Sequence, residues 1–462
     1  MSNSVQDWLD ALEDVDDATR EEAAKALAEQ ADPKTLEPLL AALEDDFWSV
    51  RSHVGWALAN IGGDKAIEGL ITLFNDTMLE VQTEAVKAMT SIGSGVVPKL
   101  LTCLKDKRWR VREQAAKTLG ELHDSQAVKG LIVVCRDRDG AVKSAAAEAL
   151  GKIGDPQAIP TLIKLFKDTS KIVRETAGTA LMYIGTPSVD ALLETLKDPH
   201  FVVRCHGVRA LGGMTTDYQM GKPWVRESRV VDALVTMLKD PDRAVREDAT
   251  IALGNIGDPK AVDALIDAMK DGSVKRHAIA SLGMIGDPRA LPAVLDALKG
   301  KGIHQEGQPT PGCIISEELL IKEAAATALG HFRHPRVIPD LVFLLKDLVL
   351  RDYAANSLVL IGDASIEPLI SFLHDPDLSK VQKESERVLN FATSRLTAAG
   401  ALKSVVLDTL NTLGWKPAAE LKKEPREIDY TDTVNVLGAG GEGRFGKSGD
   451  IAQPAKAPKI ER

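Results

Sequence analysis

Aromatic residues, cysteines and long apolar runs are all scarce in this sequence. Phe, Trp and Tyr make up 4% of the 462 residues, so a hydrophobic core must be built mainly from Leu, Ile, Val and Ala. The four cysteines form no CxxC pair, which argues against a disulfide framework or structural zinc site and is typical of a reducing cytosol. No run approaches the roughly 18 apolar residues of a membrane-spanning helix, and the amino terminus lacks the basic and apolar regions of a signal peptide. We therefore expect a cytoplasmic protein without a membrane segment.

Positive charge is also in short supply. The formal net charge is -10 and the sequence pI is about 5.5. Binding to nucleic acid requires clustered Lys and Arg side chains that displace counterions from the phosphates. The charge balance therefore argues against nucleic acid as the partner, and a solenoid that cradles nucleic acid is only a third hypothesis.

What the sequence does have is an internal repeat. A leucine, or once a methionine, recurs ahead of an Ile-Gly type of ending, and nine of the eleven spacings lie within two residues of 31. The members of this leucine column are Leu27, Leu58, Met89, Leu119, Leu150, Leu181, Leu211, Leu253, Leu282, Leu329, Leu358 and Leu389. Such a period predicts stacked supersecondary units rather than two or three compact domains.

Each unit has the pattern of two antiparallel helices. Asp155 is a suitable N-cap for the first helix, and Pro156 suits its first position because proline has no N–H to leave unpaired. Val173 and Arg174 open the second helix, and Gly185 follows its end, where the chain needs a positive φ angle. Since one helix pair cannot cover both of its apolar faces, neighbouring pairs must stack.

The consensus IGDPxAIxxLIxxLxDxxxxVRxxAAxALGxIG resembles the HEAT-like repeat first associated with phycobilisome lyases. This resemblance implies an all-α fold, an α-solenoid (superhelix) of about twelve two-helix HEAT-like repeats over residues 1–413, with the second helices on a concave inner surface. It says little about function, because the same repeat serves scaffolds, adaptors and a few enzymes.

Two insertions and a tail interrupt the regular pattern. The insertions lie near 213–228, between two repeats, and near 300–317, inside a repeat; residues 414–462 are rich in Gly, Pro and charge and are predicted to form a flexible, disordered tail. Long loops on a regular scaffold often carry function. In the first insertion Tyr218, Trp224 and Arg226 form an amphipathic set suited to protein contact; the alternative is that Trp224 folds back onto the solenoid.

The tail also contains a formal nucleotide-binding motif. Residues 441–448 read GEGRFGKS and satisfy the GxxxxGK[ST] pattern. A functional phosphate loop is followed by a helix whose N-terminal amides hold the phosphate. Only 14 residues follow Ser448, and two of them are prolines. We therefore predict that no nucleotide binds here.

A metal centre is the main enzymatic hypothesis. Deoxyhypusine hydroxylase is built from similar repeats and binds iron through His-Glu pairs that directly follow Val-Arg, but no His-Glu pair occurs in this sequence. His206, Asp248 and His277 do occupy one column of three consecutive repeats, and Cys205 precedes the first of them. These residue types can bind zinc or iron. The alternative is a polar ladder on the inner surface that contacts a partner.

The last candidates lie near the amino-terminal repeats and in the Val-Arg column, which is the basic position equivalent to Arg174 near the start of the second helices. The basic side chains of the column can either pair with aspartates such as Asp168, Asp198 and Asp240 or form a stripe that grips an acidic partner. Trp and Arg are common in binding hot spots, and we expect Trp48 and Trp109 to be exposed. The amino-terminal candidates for partner contact are Trp48, Arg51, His53, Trp56, Arg108, Trp109 and Arg112, with local packing as the alternative.

The favoured interpretation is a protein-binding scaffold or adaptor that assembles or regulates a protein complex through its concave face and inserted loops. The alternative is an enzyme of the bilin lyase or deoxyhypusine hydroxylase type. The sequence points to no specific cofactor.

Overall fold

A computed structural model describes residues 4–214, 216–217, 222–223, 227–300, 316–347, 349–375 and 398–415. The described residues contain 24 α-helices and two short strands. The α-helices are α1 (Val5–Ala11), α2 (Asp17–Gln30), α3 (Leu36–Ala41), α4 (Trp48–Ile61), α5 (Asp64–Leu73), α6 (Leu79–Ile92), α7 (Val97–Cys103), α8 (Trp109–Glu121), α9 (Val128–Val134), α10 (Gly140–Ile153), α11 (Ile159–Leu165), α12 (Lys171–Ile184), α13 (Val189–Thr195), α14 (Phe201–Gly213), α15 (Ser228–Met237), α16 (Arg243–Ile256), α17 (Val262–Ala268), α18 (Lys275–Ile285), α19 (Leu291–Leu298), α20 (Glu317–His331), α21 (Ile338–Leu344), α22 (Arg351–Ile361), α23 (Ile366–Leu373) and α24 (Ala398–Thr412). No helix in these described ranges is both long and apolar enough to cross a membrane.

The helices α1 to α22 form eleven consecutive pairs, which we number as repeats 1 to 11. Each odd-numbered helix packs against the even-numbered helix that follows it, and each even-numbered helix also packs against the even-numbered helices of the neighbouring repeats. Helix α24 contacts α22 and α23. The all-helical solenoid expected from the repeat is therefore confirmed.

Most of the first helices begin with a short 3-10 turn that the sequence did not predict. In repeat 6, the Asp155 carboxylate accepts a hydrogen bond from the N–H of Gln157 (2.8 Å), as expected of an N-cap. Residues Pro156–Ala158 then form a 3-10 turn that runs directly into α11. The 3-10 turns are Pro33–Thr35, Ala42–Glu44, Ser94–Val96, Ser125–Ala127, Pro156–Ala158, Thr186–Ser188, Pro259–Ala261, Pro288–Ala290, Pro335–Val337 and Asp363–Ser365.

The insertions leave the stack intact. The first lies between α14 and α15 and contains two antiparallel two-residue strands, β1 (Thr216–Asp217) and β2 (Lys222–Pro223). This hairpin was not predicted. The second lies between α19 and α20 and is outside the described residues from 301 to 315.

The core follows the leucine column. All eleven of its described members are fully buried, and Leu389 lies outside the described residues. The glycine after a column residue lets successive second helices approach closely: a Cβ atom added to Gly151 would lie 2.7 Å from the Cα atom of Ala180. Gly120, Gly212, Gly254, Gly283 and Gly330 face the next repeat in the same way. The small residues therefore set the distance between repeats.

Candidate functional site

The basic side chains of the Val-Arg column link adjacent repeats. In repeat 2, the Arg51 guanidinium donates through Nη1 to the carbonyl oxygen of Asp45 (2.7 Å) and through Nε to the carboxylate of Asp76 in repeat 3 (2.7 Å). Equivalent pairs join Arg20 to Asp45, Arg112 to Asp137, Lys143 to Asp168, Arg204 to Asp240 and Arg246 to Asp271. Because Arg51 and Arg112 are 9% and 6% exposed, these two partner candidates have a structural role.

The pairing with aspartates is thus confirmed for Asp168 and Asp240, but not for Asp198. The Asp198 carboxylate forms an ion pair with Lys167 (2.9 Å). Arg174 donates through Nε to the imidazole Nε2 of His206 (3.3 Å) and through Nη1 to the carbonyl oxygen of Asp168 (2.7 Å). Arg174 is therefore an exception among these basic side chains, because its side-chain partner in the next repeat is a histidine and not an aspartate.

Trp48 and Trp109 lie at the first positions of α4 and α8 and remain 39% and 38% exposed, as the sequence predicted. Between them lie Met78, which is 39% exposed, and Leu79, which is 64% exposed and begins α6. Since α4, α6 and α8 pack side by side, these side chains form one row along the turns that join the two helices of each repeat. Val15, in the turn of repeat 1, extends the row and is 99% exposed.

We call this row the turn edge, defined by the turns at residues 12–17, 43–48, 74–79, 104–110 and 135–140. An open groove of about 440 Å³ crosses it between repeats 2 and 3. Its floor and rim combine apolar with carboxylate side chains. It is lined by Leu43, Glu44, Asp45, Asp46, Trp48, Arg51, Asn75, Asp76, Thr77 and Met78.

Charge is segregated along the turn edge. The turns of repeats 1 and 2 carry an excess of carboxylates: Glu13, Asp14, Asp16, Asp17, Glu44, Asp45 and Asp46. The turn of repeat 4 carries four basic side chains, Lys105, Lys107, Arg108 and Arg110, against one carboxylate, whereas the turn of repeat 5 carries two of each sign. The Arg110 guanidinium lies over the Trp109 ring, 4.7 Å from its centroid, a distance suited to a cation–π contact.

Three other amino-terminal candidates have partners within the chain. The Trp56 Nε1–H donates to the Glu84 carboxylate (3.0 Å), and His53 Nδ1 hydrogen-bonds the carbonyl oxygen of Ser49 (2.9 Å). Arg108 pairs with Asp106 (2.9 Å) but remains about half exposed. Local packing therefore accounts for Trp56 and His53, while Arg108 stays available on the turn edge.

The candidate metal ligands do not form a coordination site. In the described part of the chain, no group of three or more His, Cys, Asp or Glu side chains is arranged to hold a metal ion. The Asp248 carboxylate is engaged by Arg209, which donates to Oδ1 at 2.8 Å. His206 accepts from Arg174 and stacks on Phe166, with ring centroids 5.4 Å apart. Asp248 and His206 are thus both engaged by arginine side chains.

Burial shifts the pKa values of Cys205 and His206 in this cluster. Burial, together with the nearby Asp248 carboxylate, raises the pKa of the Cys205 thiol to about 12, so the thiol is protonated at neutral pH. Burial and the neighbouring Arg209 and Arg174 lower the pKa of His206 to about 4, so its ring is neutral. Asp248 Oδ2 and His277 Nδ1 are buried and have no hydrogen-bond partner in the part of the chain that is described.

Several sequence predictions fall on residues that are not described. Tyr218, Trp224 and Arg226 lie outside the described residues, as do the tail beyond residue 415 and its GEGRFGKS segment. The contact role of the first insertion therefore remains a sequence-based prediction.

Comparison with known proteins gives one consistent result. HEAT repeats match residues 5–90, 72–139, 97–182, 160–223, 189–275 and 231–302, and the PBS lyase HEAT-like repeat matches residues 321–347. Among curated proteins there is no match. Solved structures of Kap121p are similar: alone, with TM-score 0.56 and 17% identity, bound to Nup53p, with TM-score 0.57 and 16% identity, and bound to Pho4p, with TM-score 0.57 and 16% identity.

The alignments with Kap121p cover 88% of this chain and 48–49% of the Kap121p chains, so this chain spans about half their length. At this identity the likeness concerns the fold alone. The match of the HEAT repeats, in contrast, extends without interruption over residues 5–302, well over half of the sequence. The chain therefore belongs to the HEAT repeat family.

Proposed function

We propose that this chain is a protein-binding scaffold or adaptor, and that a protein partner docks on the turn edge of repeats 1 to 5. The observation that carries the proposal is the row formed by Trp48, Met78, Leu79 and Trp109. Single exposed apolar residues are normal on a protein surface, but a contiguous row rimmed by charge is typical of an interaction site.

The composition of the turn edge fits a protein better than a small molecule. Its groove is open and shallow rather than enclosed, whereas small-molecule pockets bury most of the ligand surface. Tryptophan and arginine are the residue types that dominate binding energy at protein interfaces. Trp109 with Arg110 stacked on its ring supplies both in one place.

Known solenoids of this fold support the same conclusion. Structures of Kap121p contain bound Nup53p or bound Pho4p, so a HEAT-type stack of similar fold can hold protein ligands. The buried thiols Cys103, Cys135 and Cys205 are unpaired, which suits the reducing cytoplasm that we infer as its location.

The proposal is tested by capture of partners with the tagged full-length chain from a lysate of the source cells. Substituting Trp48→Ala together with Trp109→Ala should abolish the capture of a stoichiometric protein, because truncating a hot-spot tryptophan costs about 2 kcal/mol or more. Phe343→Ala is the matched control: Phe343 is an exposed aromatic residue, 70% accessible, on helix α21, away from the turn edge. Equal capture by wild type and the double variant, or no stoichiometric partner at all, would refute the proposal.

A further inference from the structure

The charges on the turn edge are related by the repeat itself. Residues of repeats 2 and 4 correspond at an offset of 61, which brings Trp48 into register with Trp109. At the same offset Glu44 corresponds to Lys105, and Asp46 corresponds to Lys107. Structurally equivalent positions two repeats apart therefore carry opposite charges on either side of equivalent tryptophans.

The turn of repeat 3 lies midway between these two turns. The one acidic or basic residue in that turn is Asp76, whose side chain is 8% exposed and pairs with Arg51. The exposed residues of that turn are Thr77, Met78 and Leu79, and the next charged residue, Glu80, belongs to the first turn of α6. The middle of the turn edge is thus apolar, whereas the turns of repeats 2 and 4 on either side of it carry exposed charges of opposite sign.

Most of the exposed charges in the turns of repeats 2 and 4 are not neutralised by an ion pair among the described residues. Among the described residues, Glu44 on the acidic side and Lys105 and Lys107 on the basic side form no ion pair. Asp46 touches Arg20 (2.8 Å), but its side chain is 93% exposed. Exposed charges of opposite sign at equivalent repeat positions on either side of an apolar centre make the surface complementary to itself.

Self-complementarity of this kind is what a two-fold dimer requires, because in such an interface residue i meets residue j and residue j meets residue i. We propose that the partner on the turn edge is a second copy of this chain, running antiparallel about a two-fold axis through the turn of repeat 3. This inference rests on the proposed protein-binding role of the turn edge and names its occupant. Repeat 2 of one copy then faces repeat 4 of the other.

The antiparallel arrangement follows from the charges. It places Glu44 and Asp46 against Lys105 and Lys107 of the second copy, and it does so twice. In the same arrangement Trp48 of each copy meets Trp109 of the other. Met78 and Leu79 lie near the two-fold axis and contact the same residues of the second copy. A parallel arrangement would place carboxylates against carboxylates, and like charges in an interface cost several kcal/mol.

The turn edge is also long enough for a specific dimer. Five stacked turns at roughly 8–10 Å per layer extend over roughly 40 Å. A stable interface buries about 800 Å² on each partner, which a patch of this length with two tryptophans at its core can supply. The even-numbered helices beyond repeat 5 would remain accessible to other proteins.

The test is sedimentation velocity of the purified full-length chain over about a hundredfold range of concentration. Wild type should approach twice the monomer mass of 49.7 kDa, and its dissociation constant should rise with salt. The variant E44K/D46K, and separately K105E/K107E, should raise the dissociation constant at least about tenfold, because each reversal acts at both symmetric contacts. The combined variant E44K/D46K/K105E/K107E should dimerise again, since it restores opposite charges across the axis.

A wild-type chain that stays monomeric at every concentration overturns the inference, as does a combined variant that dimerises no better than either half. Circular dichroism of each variant shows whether it is folded; these side chains lie on the surface of the turns. The proposed function fails separately: if the wild type is monomeric but lysate capture still depends on Trp48 and Trp109, the turn edge binds another protein and only the dimer is wrong.

Discussion

The close approach of successive second helices makes a sharp prediction about Gly151. A Cβ atom at this position would lie 2.7 Å from Cα and 2.9 Å from Cβ of Ala180 in the next repeat. Because the first contact is with backbone, the helices α10 and α12 must move apart to accept Gly151→Ala. Overpacking of this kind costs typically 1–3 kcal/mol, which outweighs the roughly 0.5–1 kcal/mol that alanine gains over glycine in a helix.

Gly178→Ala is the matched control. Gly178 is buried in the interior of α12, but a Cβ there would meet only Cε1 of Phe166, at 3.8 Å, which is an ordinary contact. We expect this variant to be as stable as wild type or more stable, by up to about 1 kcal/mol. The same substitution therefore has opposite effects in two neighbouring repeats.

Hydrogen exchange with peptide-level resolution is the suitable assay, because a repeat array opens locally and one global free energy of unfolding is poorly defined. Gly151→Ala should accelerate exchange in α10 and α12 by about tenfold for a loss of about 1.4 kcal/mol, with little change in α2 to α6. If both variants exchanged like wild type, the close approach between repeats would not contribute to stability, and the reasoning would be refuted.

Three further predictions concern charged groups. Arg112→Lys should destabilise the α8–α10 region by about 1.5–3 kcal/mol, because one ammonium group cannot replace the guanidinium contacts to Asp137 and to the Asp106 carbonyl. The control is Arg108→Lys, whose ion pair is half exposed; its urea unfolding midpoint should barely change. The pKa of His206 is lowered to about 4 in the folded chain from about 6.5 in the unfolded chain, so the free energy of unfolding should fall as the pH drops from about 6.5 to about 4, by up to roughly 3 kcal/mol. Urea unfolding of His206→Asn should depend less on pH. An unchanged pH profile would contradict the claim that His206 causes this dependence. Zinc titration of the full chain should show no one-to-one binding, since Arg209 engages Asp248; stoichiometric zinc that is lost in Asp248→Asn would contradict this description of the cluster.

Sequence reasoning predicted the fold well because one period carries most of the information. The leucine column, the Asp-Pro caps and the glycine that ends most second helices are local signals, and burial and backbone geometry repeat with them. The pairing of Arg51 or Arg112 with aspartate could also be anticipated, since a buried cation needs a partner. Exposure of Trp48 and Trp109 followed from their place in the turn before a second helix.

Other features could not be derived from the pattern. The consensus does not distinguish a 3-10 turn from the first turn of an α-helix, so Pro156–Ala158 was not foreseen. The hairpin in the first insertion has no period to reveal it. The partner of Arg174 depends on which side chain of the next repeat, His206 or Asp198, lies within reach. That is a matter of three-dimensional distance rather than spacing.

The surface that matters most was only partly visible in the sequence. Trp48 and Trp109 stood out as residue types, but Met78 and Leu79 became candidates only once α4, α6 and α8 were seen to lie side by side. The opposite charges of Glu44 and Lys105 could have been found by superimposing repeats 2 and 4. The search of equivalent repeat positions for metal ligands singled out Asp248 instead. The ion pair of Asp248 with Arg209 is seen only in the three-dimensional structure.

The central claim, that the turn edge binds a protein, is tested most directly by placing a photo-crosslinking amino acid at position 48 of the full-length chain in the source cells. After irradiation, position 48 should form a discrete adduct with a protein, whereas the same amino acid at position 343, a more exposed site on α21, should not. An adduct between two copies, mapped to residues 104–110, would identify the occupant as the chain itself. Adducts at position 48 that are no more abundant than those at position 343 would contradict the account.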